Sequence, residues 1–256
     1  MSDQRFLNAD WPAPRNVHAM VTTRSGGISE SPYASFNLAN HVGDNPLAVA
    51  GNRDLLREDL PPRISYQWLD QIHGADVITI ESAGHKISAD GLVSSESGVA
   101  CCVLTADCLP MLFSNKQGTE IAAVHGGWRG LHGGILENAV NAMESDSADI
   151  LVWLGPAIGP CHYEVGSEIK QKFLENSASE SHIETIEQSF TASTKEGKFQ
   201  FDLYQFAKLQ LALLGVTEVY GGGQCTHCDD MTFYSYRRDG ATGRMASIIY
   251  FTDESP

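Results

Sequence analysis

A chain of 256 residues with 42 % hydrophobic and 19 % charged residues has an ordinary globular composition and is long enough for a full hydrophobic core. Its formal net charge of −15 gives no general attraction to phosphate backbones, which argues against a nucleic-acid partner, and no apolar run approaches a membrane span. The first eleven residues are polar and unlike a secretion signal, so the six cysteines are expected to be reduced thiols in a cytoplasmic protein rather than a disulfide framework.

The first apolar run, residues 18–23, reads as a strand ending in Arg24-Ser25-Gly26-Gly27. The segment GISESPYASFNLANHVGDNP follows, a long polar loop that holds Asn37, His41 and Asp44 and suits a lid or a pocket wall. Residues 46–60 are predicted as a helix with proline near its start, Leu47, Ala50, Leu55 and Leu56 roughly on one face, and Pro61-Pro62 to end it. Strands dominate from about residue 65 to 124. Residues 133–143 are helical, 150–154 form a short buried strand stopped by Gly155-Pro156, and 165–174 are helical. Residues 177–197 are polar and weakly patterned, and read as a surface excursion with one short strand at most. Residues 202–214 carry the cleanest helical pattern: Asp202 caps it, Leu203, Phe206, Ala207, Leu211 and Leu214 form one stripe, and Gly215 stops it. Residues 216–220, 232–236 and 245–251 are the last strands. Helices and strands mix without strict β-α-β alternation, so a single α+β or layered mixed α/β domain over residues 1–256 is expected.

Three apolar runs place chemistry at their ends. DQIHGADVITI sets His73 before Gly74 at the start of one, TADC sets Cys108 at a break between two, and AAVHGGWRG ends a strand on His125. Glycines beside a strand end let a ligand approach the backbone, and Trp128-Arg129 then begin a helix. Two imidazoles and a thiol are a plausible three-ligand set for a divalent metal with an open fourth position. The same residues also suit an interior, with Cys108 as a small apolar side chain and the histidines hydrogen-bonded in the core. Zinc accepts both donor types. Copper is chemically open too, although the paired His-x-His clusters of a multicopper centre are missing.

Asp107 is a candidate general base or a partner for a ligand histidine's second nitrogen, and equally a turn former between strands. Arg24, Arg53 and Arg129 offer the planar fork that matches phosphate, or make ordinary ion pairs. Cys225-Thr-His-Cys228 and Cys161-His162 are two partial half-sites, readable as structural zinc, a redox pair or packed thiols. Cys101 and Cys102 are consecutive on a strand, point to opposite faces, and belong to the core. YSYRRDGATGRM is read as a basic turn between two late strands, either a charged hairpin tip or a substrate-binding wall.

The ordered blocks TTRSGGIS, NHVGDNP, NR, QIHG, TADCLP, AAVHGGWRG, GPAIGPCHYEVG and FYSYRRDGATGR resemble the signatures of the YfiH/laccase-domain family over residues 17–250. Members are described as purine nucleoside phosphorylases and formerly as multicopper polyphenol oxidases. The resemblance implies one domain of mixed sheets sandwiched between helices, and zinc held by His73, Cys108 and His125. It implies phosphorolysis of adenosine, inosine, guanosine and methylthioadenosine, with adenosine deamination beside it. Nucleoside and phosphate would be the partners. Cys108, Asp107 and His41 are the expected catalytic residues, and Arg24, Asn37, Arg53, Gln71 and Arg129 the expected substrate-binding residues. Two further family readings are an amidase that edits peptidoglycan precursors and a copper-dependent phenol oxidase. A non-enzymatic module with structural zinc is the fourth. Gly126 departs from the family, where alanine is commoner; the swap adds room.

Overall fold

The computed structural model describes residues 4–253. Its first half runs β1 (Phe6–Asn8), β2 (Val17–Thr22), α1 (Pro46–Asp59), β3 (Ser65–Gln67), β4 (Val77–Thr79), β5 (Gly91–Ser94), β6 (Val99–Thr105), β7 (Leu109–Asn115) and β8 (Ile121–Gly126). The second half adds α2 (Trp128–His132), α3 (Ile135–Ala142), β9 (Ile150–Leu154), β10 (Glu164–Gly166), α4 (Ser167–Glu175), α5 (Glu180–Ser189), β11 (Phe190–Ala192), β12 (Lys198–Phe201), α6 (Leu203–Leu213), β13 (Glu218–Gly221), α7 (Tyr236–Asp239) and β14 (Met245–Phe251).

Two mixed sheets stack face to face, in the orders β1-β2-β14-β6-β3 and β13-β9-β7-β8-β5-β4. The pairs β3–β6, β4–β5 and β9–β13 are parallel. Strand alternation sorts the core. On β6, Val99, Cys101 and Val103 face Leu112, Ala123 and Trp153 of the second sheet. Ala100, Cys102 and Leu104 face away, toward Phe36, Leu38 and Leu56 of α1 and the loop before it. On β7, Leu109, Met111 and Phe113 face Leu131, Ile135, Ala139 and Phe206 of α2, α3 and α6. The layers are therefore helix, sheet, sheet, helix. Both faces of β6, β7 and β8 are covered, which is why they read as unbroken apolar runs. A small sheet, β10-β12-β11, packs with α4 and α5 around Phe173, Phe190, Phe201 and Phe206.

Four expectations change. The helix at residues 46–60 forms as α1, but its buried face is Val49, Asn52 and Leu56, while Leu47 is 81 % exposed. Asn52 is buried because its amide holds the preceding loop, and this rotates the helix away from the purely apolar phasing. Residues 177–197 hold the ten-residue helix α5, capped by Ser179 and anchored by Thr185, Ile186 and Ser189. The helix expected at 133–143 forms as α3 but starts only at Ile135, because Gly133 ends α2 and Gly134 takes φ 84°. Residues 232–236 form no strand: Phe233 and Tyr234 are fully buried, and Ser235 caps the short helix α7. The basic segment is thus a helical turn, not a hairpin.

Candidate active site

His73, Cys108 and His125 converge, their ligand atoms all within 4.8 Å of one another. Cys108 lies in the turn from β6 to β7, and His125 is the penultimate residue of β8. His73 sits in the loop before β4 rather than at the strand's first residue. Two backbone strains hold the turns: His73 at φ 58° and Asp107 at φ 94° are the two non-glycine residues with positive φ among the described residues. Such conformations cost free energy and persist only where the surroundings enforce them.

At His73 the enforcing group is Asp90. Its carboxylate accepts backbone N–H groups from Ile72, His73 and Gly74 at 3.2, 3.0 and 2.6 Å, and meets Nδ1 of His125 at 2.7 Å. One buried acid therefore fixes the loop of one histidine and the ring of the other. Burial pushes the Asp90 carboxyl up, but these hydrogen bonds outweigh it and hold the group below its ordinary value. With Nδ1 taken, His125 turns Nε2 toward Cys108. Burial alone would raise the Cys108 thiol, yet His125 and His73 lower it to about 6. Burial alone would lower His125, yet Cys108 and Asp90 raise it to about 9. A thiolate beside an Asp-oriented imidazole results.

The donor set fits a zinc-sized cation: soft sulfur, two imidazoles, and a carboxylate hydrogen-bonded to one of them. Gly127 keeps the space open. A Cβ there would stand 3.2 Å from Cys108 Sγ and 3.3 Å from His73 Cδ2. Among the described residues no fourth His, Cys, Asp or Glu joins the cluster, so a metal ion held there would have three protein donors.

His73, Cys108 and His125 lie in the wall of a 530 Å³ pocket. Trp128, Tyr163, Tyr236, Leu104, Ile158 and Leu203 supply apolar surface, and Arg129, Arg237 and Arg244 supply charge. His41 and Gln71 also line it. Burial, and then Arg244, hold His41 below its ordinary value, so it is neutral near pH 7. Asp107 lines the pocket with both carboxylate oxygens engaged, by Thr226 Oγ1 at 2.7 Å and the Arg237 N–H at 2.7 Å.

A family model described as multi-copper polyphenol oxidoreductase laccase matches residues 18–252. The chain belongs to this, the YfiH/laccase-domain family. A purine nucleoside phosphorylase of Pseudomonas aeruginosa is 47 % identical over 97 % of this chain and 99 % of that protein. Purine nucleoside phosphorylase YfiH of Escherichia coli is 45 % identical over 96 % and 98 %. Among solved structures, a Neisseria meningitidis protein superposes with a TM-score of 0.90 at 45 % identity over 97 % and 99 % of the two chains. YlmD of Geobacillus stearothermophilus follows at 0.88 and 31 % over 99 % and 98 %.

Within this YfiH-like frame the sequence-derived residues divide. His41, Gln71, His73, Asp107, Cys108, His125 and Arg129 share the pocket. Arg24, Asn37 and Arg53 do not line it. Arg24 donates to the carbonyls of Ala34 and Asp230 and stacks on Tyr234. Arg53 donates twice to the Leu38 carbonyl and stacks on Trp68. Asn37 is buried and accepts the Arg244 N–H at 3.0 Å, so it reaches the pocket through Arg244. Gln71 spends its amide on the backbone of Leu104. The histidine's second nitrogen goes to Asp90, not Asp107. Asp90 carries no local signal beyond an acid before a glycine at a strand start. The room left by Gly126 is filled by the Met111 methyl group, 2.7 Å from where a Cβ would stand.

Proposed function

We propose that the chain is a zinc-dependent purine nucleoside phosphorylase whose ligands are His73, Cys108 and His125. The observation that carries this reading is the charge pattern of the pocket. Arg129, Arg237 and Arg244 line it, and none of them ion-pairs with a carboxylate among the described residues. Guanidinium groups without a carboxylate partner, in a strongly acidic protein, suit an anion of phosphate size. The names of the relatives from P. aeruginosa and E. coli point the same way.

The arginines hold inorganic phosphate. The aromatic and aliphatic wall takes the purine by stacking and apolar burial. A phosphate oxygen attacks C1′ of the ribose, the C1′–N9 bond breaks, and the base leaves as ribose 1-phosphate forms. His41, neutral at pH 7, accepts a proton at one ring nitrogen and donates one at the other as charge moves from phosphate to purine. Asp107 orients the Arg237 backbone. A bound zinc ion would supply Lewis acidity at this wall. Adenosine deamination in the same pocket needs a second pose, with C6 rather than C1′ beside the ligands and water as the attacking species.

The test is adenosine turnover with and without phosphate. Phosphate-dependent formation of adenine and ribose 1-phosphate is expected, and free base released equally without phosphate overturns phosphorolysis. Inosine and ammonia report deamination. Cys108→Ala is expected to lower turnover by at least a hundredfold. Elemental analysis of protein purified without added metal is expected to find zinc, not the copper of a phenol oxidase.

The Cys108–His125–Asp90 arrangement favours one second reading, an amidase in which Cys108 attacks a carbonyl and His125 shuttles the proton. A thiolate that binds zinc is a poor nucleophile, so the two readings exclude each other. Activity that survives metal stripping selects the amidase, and activity that is lost and restored by zinc selects the phosphorylase.

A further inference from the structure

Outside the pocket, four more ligand-type side chains meet. Cys161 Sγ lies 3.8 Å from Cys225 Sγ and 3.7 Å from Cys228 Sγ. Nδ1 of His162 lies 3.2 Å from Cys161 Sγ and 3.3 Å from Cys228 Sγ. A tetrahedral zinc ion with Zn–S bonds of about 2.3 Å sets its sulfurs roughly 3.8 Å apart. A disulfide would bring two of them to about 2 Å and exclude the third. The observed spacing is that of a shared centre.

The surroundings are built for one. Gly159 donates its N–H to Cys225 Sγ at 3.2 Å, and a Cβ on Gly159 would stand within 3.2–3.4 Å of Cys225 and Cys161. The two loops are stitched by a bridge between Ala157 and Cys225, with the Thr226 N–H on the Ala157 carbonyl at 3.0 Å. The His162 ring stacks on His227 at 3.8 Å, which fixes its orientation. The set is three thiols and one imidazole, all four vertices from protein.

We propose that Cys161, His162, Cys225 and Cys228 form a second, closed site that binds one zinc ion and clasps the pocket wall. The clasp reaches the pocket by backbone and hydroxyl. Thr226, next to Cys225, donates to Asp107 at 2.7 Å. Arg237 donates to the His162 and Glu164 carbonyls at 3.3 and 3.0 Å. Arg238 donates to the Thr226 and His227 carbonyls at 2.8 and 3.2 Å. The ion therefore positions Asp107 and Arg237 without meeting substrate. This inference does not rest on the phosphorylase reading.

The full chain, loaded with cobalt(II) in place of zinc, tests it. Three of the four cysteine ligands across the two clusters belong here. The thiolate-to-cobalt band should fall to roughly a quarter in the Cys161→Ser/Cys228→Ser double variant, and by only about a quarter in Cys108→Ser. An unchanged band in the double variant overturns the site. A second measurement needs no variant: in the wild-type zinc protein, iodoacetamide should modify Cys161, Cys225 and Cys228 only after a chelator is added. Equal labelling of all three before and after chelation, or a disulfide among them in peptide mass mapping of freshly purified protein, overturns it. Failure of either leaves the pocket site and its activity assay untouched.

Discussion

Asp90 is fully buried and anchors His73 and His125 at once. Asp90→Asn removes the charge that orients His125 and weakens the acceptor for three loop N–H groups. On the zinc reading, metal affinity at the pocket is expected to fall by about 10–100-fold, the usual cost of losing the group that orients a metal-binding histidine, and chelator competition measures it. An unchanged affinity would show that the loop holds its shape without the acid. The metal-stripped protein gives an independent check on the same residues. The Cys108 thiol, lowered to about 6 by His125 and His73, is expected to be alkylated at a rate that rises with pH through that value and levels off above it. A midpoint near that of an ordinary thiol would mean that the imidazoles do not face the sulfur. The contrast between these residues explains what was readable beforehand. Cys108 stands out at the break between two apolar runs, and His125 because an apolar run ends on it. Asp90 is one of 32 acidic residues, and its role depends on β5 pairing with β8, a contact 35 positions away in the chain. Arg237 and Arg244 were visible as basic residues in an acidic chain, but only the fold turns them, rather than Arg24 and Arg53, toward the pocket.

Helix α1 shows how an element can be right and its face wrong. Proline at its start and the two prolines beyond its end mark its limits, yet apolar spacing selects Leu47 and Ala50 where the interior takes Asn52. The Asn52 amide donates to Ser29 Oγ, the Ser35 carbonyl and the Asn37 carbonyl at 2.9–3.1 Å, and accepts the Ile28 N–H at 2.8 Å. It pins the loop that carries His41. Asn52→Ala strips these partners in a buried setting, so a loss of about 2–3 kcal/mol is expected, which for a chain of this size lowers Tm by roughly 4–10 °C. Activity should fall further than stability explains, through a freer His41; a variant with wild-type Tm would refute the anchoring role. Helix α5 and helix α7 were hidden for opposite reasons. In α5 a single stripe around Ile186 faces inward and the rest is polar, so the segment looks like loop. Before α7, Phe233 and Tyr234 look like strand because they are buried, though they pair with no strand. Helix α6 was legible because cap, stripe and terminal glycine agree.

At the scale of the whole molecule, two stacked mixed sheets fix where the site can be. The pocket opens where the β6–β7 turn, the end of β8, the start of α2 and the α7 segment come together, and these parts are far apart in sequence. The formal charge of −15 surrounds a pocket lined by three arginines, so long-range and short-range fields oppose each other for an anionic substrate. Screening separates them. At 0.01 M salt the Debye length is about 30 Å and the whole molecule repels phosphate, whereas at 0.1 M it is about 10 Å and only charges near the ligand act. The arginines are in contact range and keep most of their effect; the distant carboxylates lose theirs. On the phosphorylase reading, KM for phosphate is therefore expected to fall by roughly two- to threefold as inert salt rises from about 0.01 to 0.1 M. KM for the uncharged nucleoside should stay level over the same range. A rise in the phosphate KM would mean that the pocket arginines dominate at long range as well, and that the acidic surface lies too far from the pocket mouth to repel the approaching anion.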